Sequence, residues 1–132
     1  MKKVVKFGGS SLASAEQFQK VGEIIRADES RVYVVPSAPG KRFSDDTKVT
    51  DMLLHAYDLA SQGKDIAEQM AAIKARYMEI IEGLHLENFS LDEDFAIIEE
   101  QLRNDPQKDY TASRGEYLNG KIVAKLLGFA FI

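Results

Sequence analysis

The chain has 132 residues, 45% of them hydrophobic and 29% charged, with a net charge of -4. That suffices for one compact domain and lacks the basic excess that counterion release from nucleic acid requires. Cysteine is absent, which excludes disulfides, thiolate metal sites and a cysteine nucleophile.

Met1-Lys2-Lys3-Val4-Val5-Lys6-Phe7 is too short in apolar length for a signal-peptide core, and no later stretch approaches the roughly 18 apolar residues of a membrane span. A cytoplasmic protein with neither membrane nor nucleic acid as a partner is therefore expected. Val4, Val5 and Phe7 predict a short buried strand ending at Gly8-Gly9, where a tight turn costs least. Ser10 and Ser11 are expected to cap a helix whose apolar residues Phe18, Val21, Ile24 and Ile25 recur at helical spacing through to Arg26. Val32-Tyr33-Val34-Val35, stopped by Pro36 and Pro39, predicts a second strand, parallel to the first because a crossover helix joins them. Residues 36–48 are rich in Pro, Gly, Ser, Asp and basic side chains and read as a mobile loop at a strand end, where sites are commonly built. Helical spacing resumes from Val49 through Met52, Leu53, Ala56, Tyr57 and Ala60 to near Gly63, and again from Ile66 to Gly83, predicting a helical hairpin. Ser90 and Glu93 have capping-box spacing ahead of Phe95, Ile98 and Leu102, a helix expected to end before Pro106. A last helix is predicted from about Thr111 or Ser113 to Leu127, closed by Gly128. Phe129 to Ile132 read as a buried strand just entered, and hence as truncation.

Two segments have the residue types for chemistry. In Lys6-Phe7-Gly8-Gly9-Ser10-Ser11 a lysine precedes two glycines and two hydroxyl residues at a helix start. Glycines admit phosphate oxygens to backbone N–H groups, a helix N-terminus adds partial positive charge, and lysine adds a full one. The plain alternative is an ordinary strand-to-helix turn. It is not a Walker A loop, since Gly40-Lys41 is followed by Arg42, and no GxGxxG occurs. In Ser113-Arg114-Gly115-Glu116 a glutamate falls in what is predicted to be a first helical turn, where the helix dipole alone favours it. His55 and His85 lack zinc spacing. The acidic run from Glu87 to Glu100 alternates with apolar residues, as a solvated helix face does.

Taken in order, Lys6-Phe7-Gly8-Gly9-Ser10-Ser11, Val34-Val35-Pro36-Ser37-Ala38, Val49-Thr50-Asp51-Met52-Leu53-Leu54 and Gly115-Glu116 resemble the aspartate kinases of the amino-acid kinase family, over Lys3 to Ile132. The resemblance implies the N-terminal part of a carbamate kinase-like α/β/α three-layer fold with a mainly parallel sheet and a helical insert. It implies that Lys6 contacts the transferred phosphate and that Gly8, Gly9 and Ser10 form the phosphate-facing turn. Ser37 falls in the strand-end phosphate or substrate region, Thr50 touches aspartate, and Glu116 binds the substrate's α-amino group. ATP, with Mg2+ bound through the nucleotide, and L-aspartate are the implied ligands, in a full-length parent that is a homo-oligomer. The implied product is 4-phospho-L-aspartate, the opening step of lysine, threonine and methionine synthesis. Pro36 and Asn119 depart from commoner family residues, and the family's nucleotide-binding second half and ACT domains are not in this sequence. Rival readings are an amino-acid kinase acting on glutamate, acetylglutamate, carbamate or a nucleoside monophosphate, and a folded fragment that catalyses nothing. Ser113 to Glu116 and the helical insert from Val49 to Asn104 favour aspartate.

Overall fold

A computed structural model describes residues 1–132. The opening consists of β1 (Lys3–Phe7), a 3-10 turn (Gly9–Leu12), α1 (Ala15–Arg26) and β2 (Arg31–Pro36). Helices α2 (Val49–Ser61), α3 (Ala67–Gly83), α4 (Asp92–Asn104) and α5 (Lys108–Leu127) follow. β1 and β2 pair in parallel, with Val5 opposite Val34 and Phe7 opposite Pro36, the arrangement a strand–helix–strand crossover produces. The class is α/β with a parallel sheet and a helical insert.

Successive strand residues point to opposite faces. Val5, Phe7 and Val34 pack on a core that includes Leu12, Phe18, Leu53, Ile73, Tyr77, Phe95 and Leu118. Val4, Tyr33 and Val35 stay exposed, Val4 at 68%. The two strands are thus half-buried rather than buried, because helices cover one face of the sheet and leave the other open.

The helical hairpin forms where the apolar spacing places it, and Gly63 at φ 70° reverses the chain after α2. Three ends differ from expectation. Ser14, not Ser10 or Ser11, caps α1, its Oγ accepting from the Gln17 N–H at 3.4 Å, because the 3-10 turn takes up the intervening residues. Ser90 Oγ accepts from the Asp92 N–H at 3.1 Å, but Leu91 is the residue at the N-cap of α4, so the reciprocal box with Glu93 does not form. α5 begins at Lys108, because the Thr111 N–H and hydroxyl both bond back to the Gln107 carbonyl, at 3.0 and 2.7 Å.

Gly128, at φ 71°, closes α5 as predicted. The following residues do not form the expected buried strand. With no neighbouring strand to pair with, Phe131 turns back onto α5, its ring edge-on to Tyr117 at 5.4 Å and against Gly120, while remaining 43% exposed. No helix is long and apolar enough to cross a membrane.

Candidate functional site

The site assembles outside the carboxyl ends of β1 and β2, where open α/β sheets place ligands. Beyond β1 the chain runs through Gly8 into the 3-10 turn; beyond β2 it continues as Ser37-Ala38-Pro39-Gly40. The two segments are stitched together. The Ser37 N–H donates to the Phe7 carbonyl at 3.1 Å, and the Gly40 N–H to the Gly9 carbonyl at 2.8 Å. A Cβ on Gly40 would lie 2.7 Å from Gly9 C and 2.8 Å from Ser10 N, so only glycine lets the segments approach this closely. Gly9 is confined in the same way, a Cβ there falling 3.0 Å from the Ala38 carbonyl oxygen, whereas Gly8 faces open space. Because the groups facing Gly40 are backbone and cannot give way, Gly40→Ala is expected to destabilise the chain by about 1–3 kcal/mol. Gly8→Ala should stay within about 0.5 kcal/mol of wild type. Urea unfolding of the pair checks this, and equal midpoints would show the contact to be soft.

α5 closes the second side. Asn119, fully buried, donates from Nδ2 to the Ser37 carbonyl at 2.8 Å. Gly115 lies under Ala38, a Cβ there coming within 2.6 Å of the alanine methyl. The Tyr77 hydroxyl, from α3, donates to the Gly115 carbonyl at 2.8 Å, and burial raises its pKa well above the ordinary phenol value. Glu116 is therefore presented from a helix segment fixed on both sides. It stands in the third turn of α5, not in a first turn as expected, so the helix dipole gives no account of it.

Two adjoining cavities result. One, of about 460 Å³, is lined by Gly9, Ser10, Ser37, Gly40, Lys41, Lys48 and Thr50 among others. The other, of about 440 Å³, is lined by Ser37, Ala38, Thr50, Asp109, Ala112, Ser113 and Glu116. Ser37, Ala38 and Thr50 belong to both. Neither Lys41 nor Lys48 takes part in an ion pair within the chain. Lys48 also occupies the N-cap of α2, where the helix dipole is unfavourable to a cation. One compartment is thus cationic and glycine-lined, the other acidic, with two hydroxyl residues between them.

The structure brings Gly9, Ser10, Ser37, Thr50 and Glu116 together. Lys6 lines neither cavity; it is exposed on β1 between the inward-facing Val5 and Phe7, on the open face of the sheet. Gly8 lines neither cavity and links β1 to the turn. Sequence reasoning missed Lys41, Lys48, Asp109, Tyr77 and Arg76 and treated Asn119 as a marginal departure. A cation at a predicted helix start was the available signal for Lys48, and an arginine in phase with Met70, Ile73 and Ile80 was the signal for Arg76.

A model of the amino acid kinase family matches residues 1–130. The chain belongs to that family. Among curated relatives, the chain is 39% identical over 127 residues to Aspartokinase 3 of Bacillus subtilis (strain 168). That alignment covers 92% of the chain and 28% of the relative. Among solved structures, the aspartate kinase of Clostridium acetobutylicum superposes with a TM-score of 0.93 at 43% identity, covering 98% of this chain and 29% of that one. E. coli aspartokinase III in complex with aspartate and ADP shares the fold, with a TM-score of 0.71 at 21% identity over 97% of this chain and 29% of its own. The chain therefore spans less than a third of the length of these kinases.

Proposed function

We propose that the chain forms the acceptor-binding and phosphate-facing part of an aspartate kinase, which transfers the γ-phosphoryl group of ATP to the side-chain carboxylate of L-aspartate. The observation that carries this reading is the adjacency of a glycine-lined cavity bearing two unpaired lysines and a cavity bearing Glu116, with Ser37 and Thr50 between them. A phosphate chain suits the first, since backbone N–H groups and cations are what phosphate oxygens recognise. An α-ammonium suits the second, since the Glu116 carboxylate has no cation partner within the chain.

In the proposed step a carboxylate oxygen of aspartate forms a bond to the γ-phosphorus while the bond to the ADP oxygen breaks. The acceptor is already an anion, so no general base is needed, and catalysis rests on positioning and charge neutralisation. Glu116 anchors the α-amino group, Thr50 and Ser37 orient the acceptor between the compartments, and Gly9 and Ser10 receive the phosphate. Lys6, near the carboxyl end of β1 but outside both cavities, is assigned to charge developing on the transferred group. No cluster of three or more acidic or histidine side chains is poised for a metal. Mg2+ carried on the nucleotide's phosphates would offset charge there.

The nearest test uses the 132-residue chain itself. Titration with L-aspartate is expected to shift the amide resonances of Ser37, Thr50, Ser113 and Glu116, and inorganic triphosphate those of Gly9, Ser10 and Gly40. A coupled ADP-release assay with ATP, magnesium and L-aspartate should show no measurable turnover, because in-line transfer depends on positioning groups spread over kinases more than three times this length. Aspartate shifts scattered over the surface would contradict the assigned site.

A further inference from the structure

Arg76 lies within α3 at 5% exposure, in phase with Ile73, Tyr77 and Ile80, where the apolar spacing calls for another hydrophobic residue. A guanidinium removed from water must be matched by hydrogen bonds and countercharge. Arg76 finds them for both terminal nitrogens in the loop between β2 and α2, while its buried Nε has no partner. Its Nη2 donates to the Gly40 carbonyl at 2.7 Å and its Nη1 to the Thr47 carbonyl at 2.8 Å, with Asp46 Oδ2 3.6 Å from Nη1. The same Asp46 carboxylate accepts from Arg42 Nε at 2.7 Å and from the Arg42 N–H at 2.9 Å. That bonding holds its carboxyl well below the ordinary carboxylate range. The segment predicted to be a mobile loop is thus gathered onto one buried side chain.

The two carbonyls that Arg76 holds belong to the peptide groups leading into Lys41 and Lys48, the unpaired lysines of the glycine-lined cavity. Because a peptide group is planar, fixing its oxygen fixes the nitrogen of the next residue. One arginine therefore sets where both lysine backbones begin. We propose that Arg76 is a positioning residue that clamps residues 40–47 and so holds Lys41 and Lys48 beside the glycine turn to receive a polyanion. The clamp stands on geometry alone; its consequence for anions rests on the phosphate reading given above.

The test compares wild type, Arg76→Met and Asp46→Asn in the 132-residue chain, by amide hydrogen exchange and by calorimetric titration with inorganic triphosphate. In Arg76→Met the amides of Gly40 and Val49, which bond to Gly9 and Pro39, are expected to exchange at least about 10-fold faster, while amides inside α1 and α5 keep their rates. Triphosphate affinity should fall by about 10-fold, and removing both lysines should weaken wild type but add little to the arginine variant, as coupled groups do. Unchanged exchange at Gly40 and Val49, or equal acceleration throughout the chain, would overturn the proposal. If Arg76→Met does not fold, Asp46→Asn decides, since it loosens the clamp from the loop side: acceleration confined to the loop supports the clamp, and none refutes it. Should wild type fail to bind triphosphate while the exchange pattern appears, the phosphate reading falls and the clamp stands.

Discussion

Glu116→Ala is expected to raise KM for L-aspartate by about 10- to 150-fold while leaving KM for ATP nearly unchanged, because an ammonium loses a charge-assisted partner worth about 1.5–3 kcal/mol. The measurement suits a hybrid in which residues 1–132 replace the matching segment of the Clostridium acetobutylicum aspartate kinase, whose backbone superposes at a TM-score of 0.93. The effect should be confined to one substrate because Glu116 lines the acidic cavity and not the glycine-lined one. Its backbone is held from below by Tyr77 through Gly115, so the substitution removes a carboxylate without moving the helix. Glu116→Gln, which keeps shape and loses charge, should recover little of the affinity. Equal increases for both substrates would show that Glu116 shapes the whole site and does not select the amino acid.

Lys6→Ala in the same hybrid is expected to act on turnover, lowering kcat by about 100- to 1000-fold with a smaller change in either KM. A charge that matters most as the phosphoryl group loosens stabilises the transition state more than the ground state. Lys6 stands exposed and without an ion-pair partner at the end of β1, so its charge is available to a ligand. Lys6→Arg keeps the charge but replaces a compact ammonium with a broad guanidinium, and it should restore part of the rate. Normal turnover in Lys6→Ala would remove Lys6 from the chemistry and leave Lys41 and Lys48 as the cations of the site.

What could be read from the amino-acid order follows the range of the interactions involved. The parallel unit of β1, α1 and β2 and the hairpin of α2 and α3 were legible because periodicity and glycine punctuation are local signals. Gly9, Ser37, Thr50 and Glu116 were singled out through the order of their motifs. That they meet depends on Asn119 reaching the Ser37 carbonyl and on Gly115 making room for Ala38, contacts between residues about eighty apart that no local pattern encodes. The misplaced start of α5 has a local cause: Thr111 bonds back to Gln107 and extends the helix, although threonine and serine ordinarily suggest a cap. Residues 129–132 have the composition of a strand, yet strand formation needs a partner, and the Phe131 ring settles on α5 instead. Arg76 was hidden because a charged residue in a helix is presumed to face water, and its partners are carbonyls of a loop some thirty residues away.

Steady-state ADP release by the hybrid enzyme decides whether this segment carries the acceptor selectivity proposed for it. With ATP and magnesium saturating, L-aspartate is expected to support turnover within about 10-fold of the parent enzyme, while L-glutamate and carbamate give rates near background, as the proposed acceptor-binding role of the segment requires. A correctly assembled hybrid that releases ADP equally with all three acceptors, or that turns over glutamate in preference to aspartate, would contradict it.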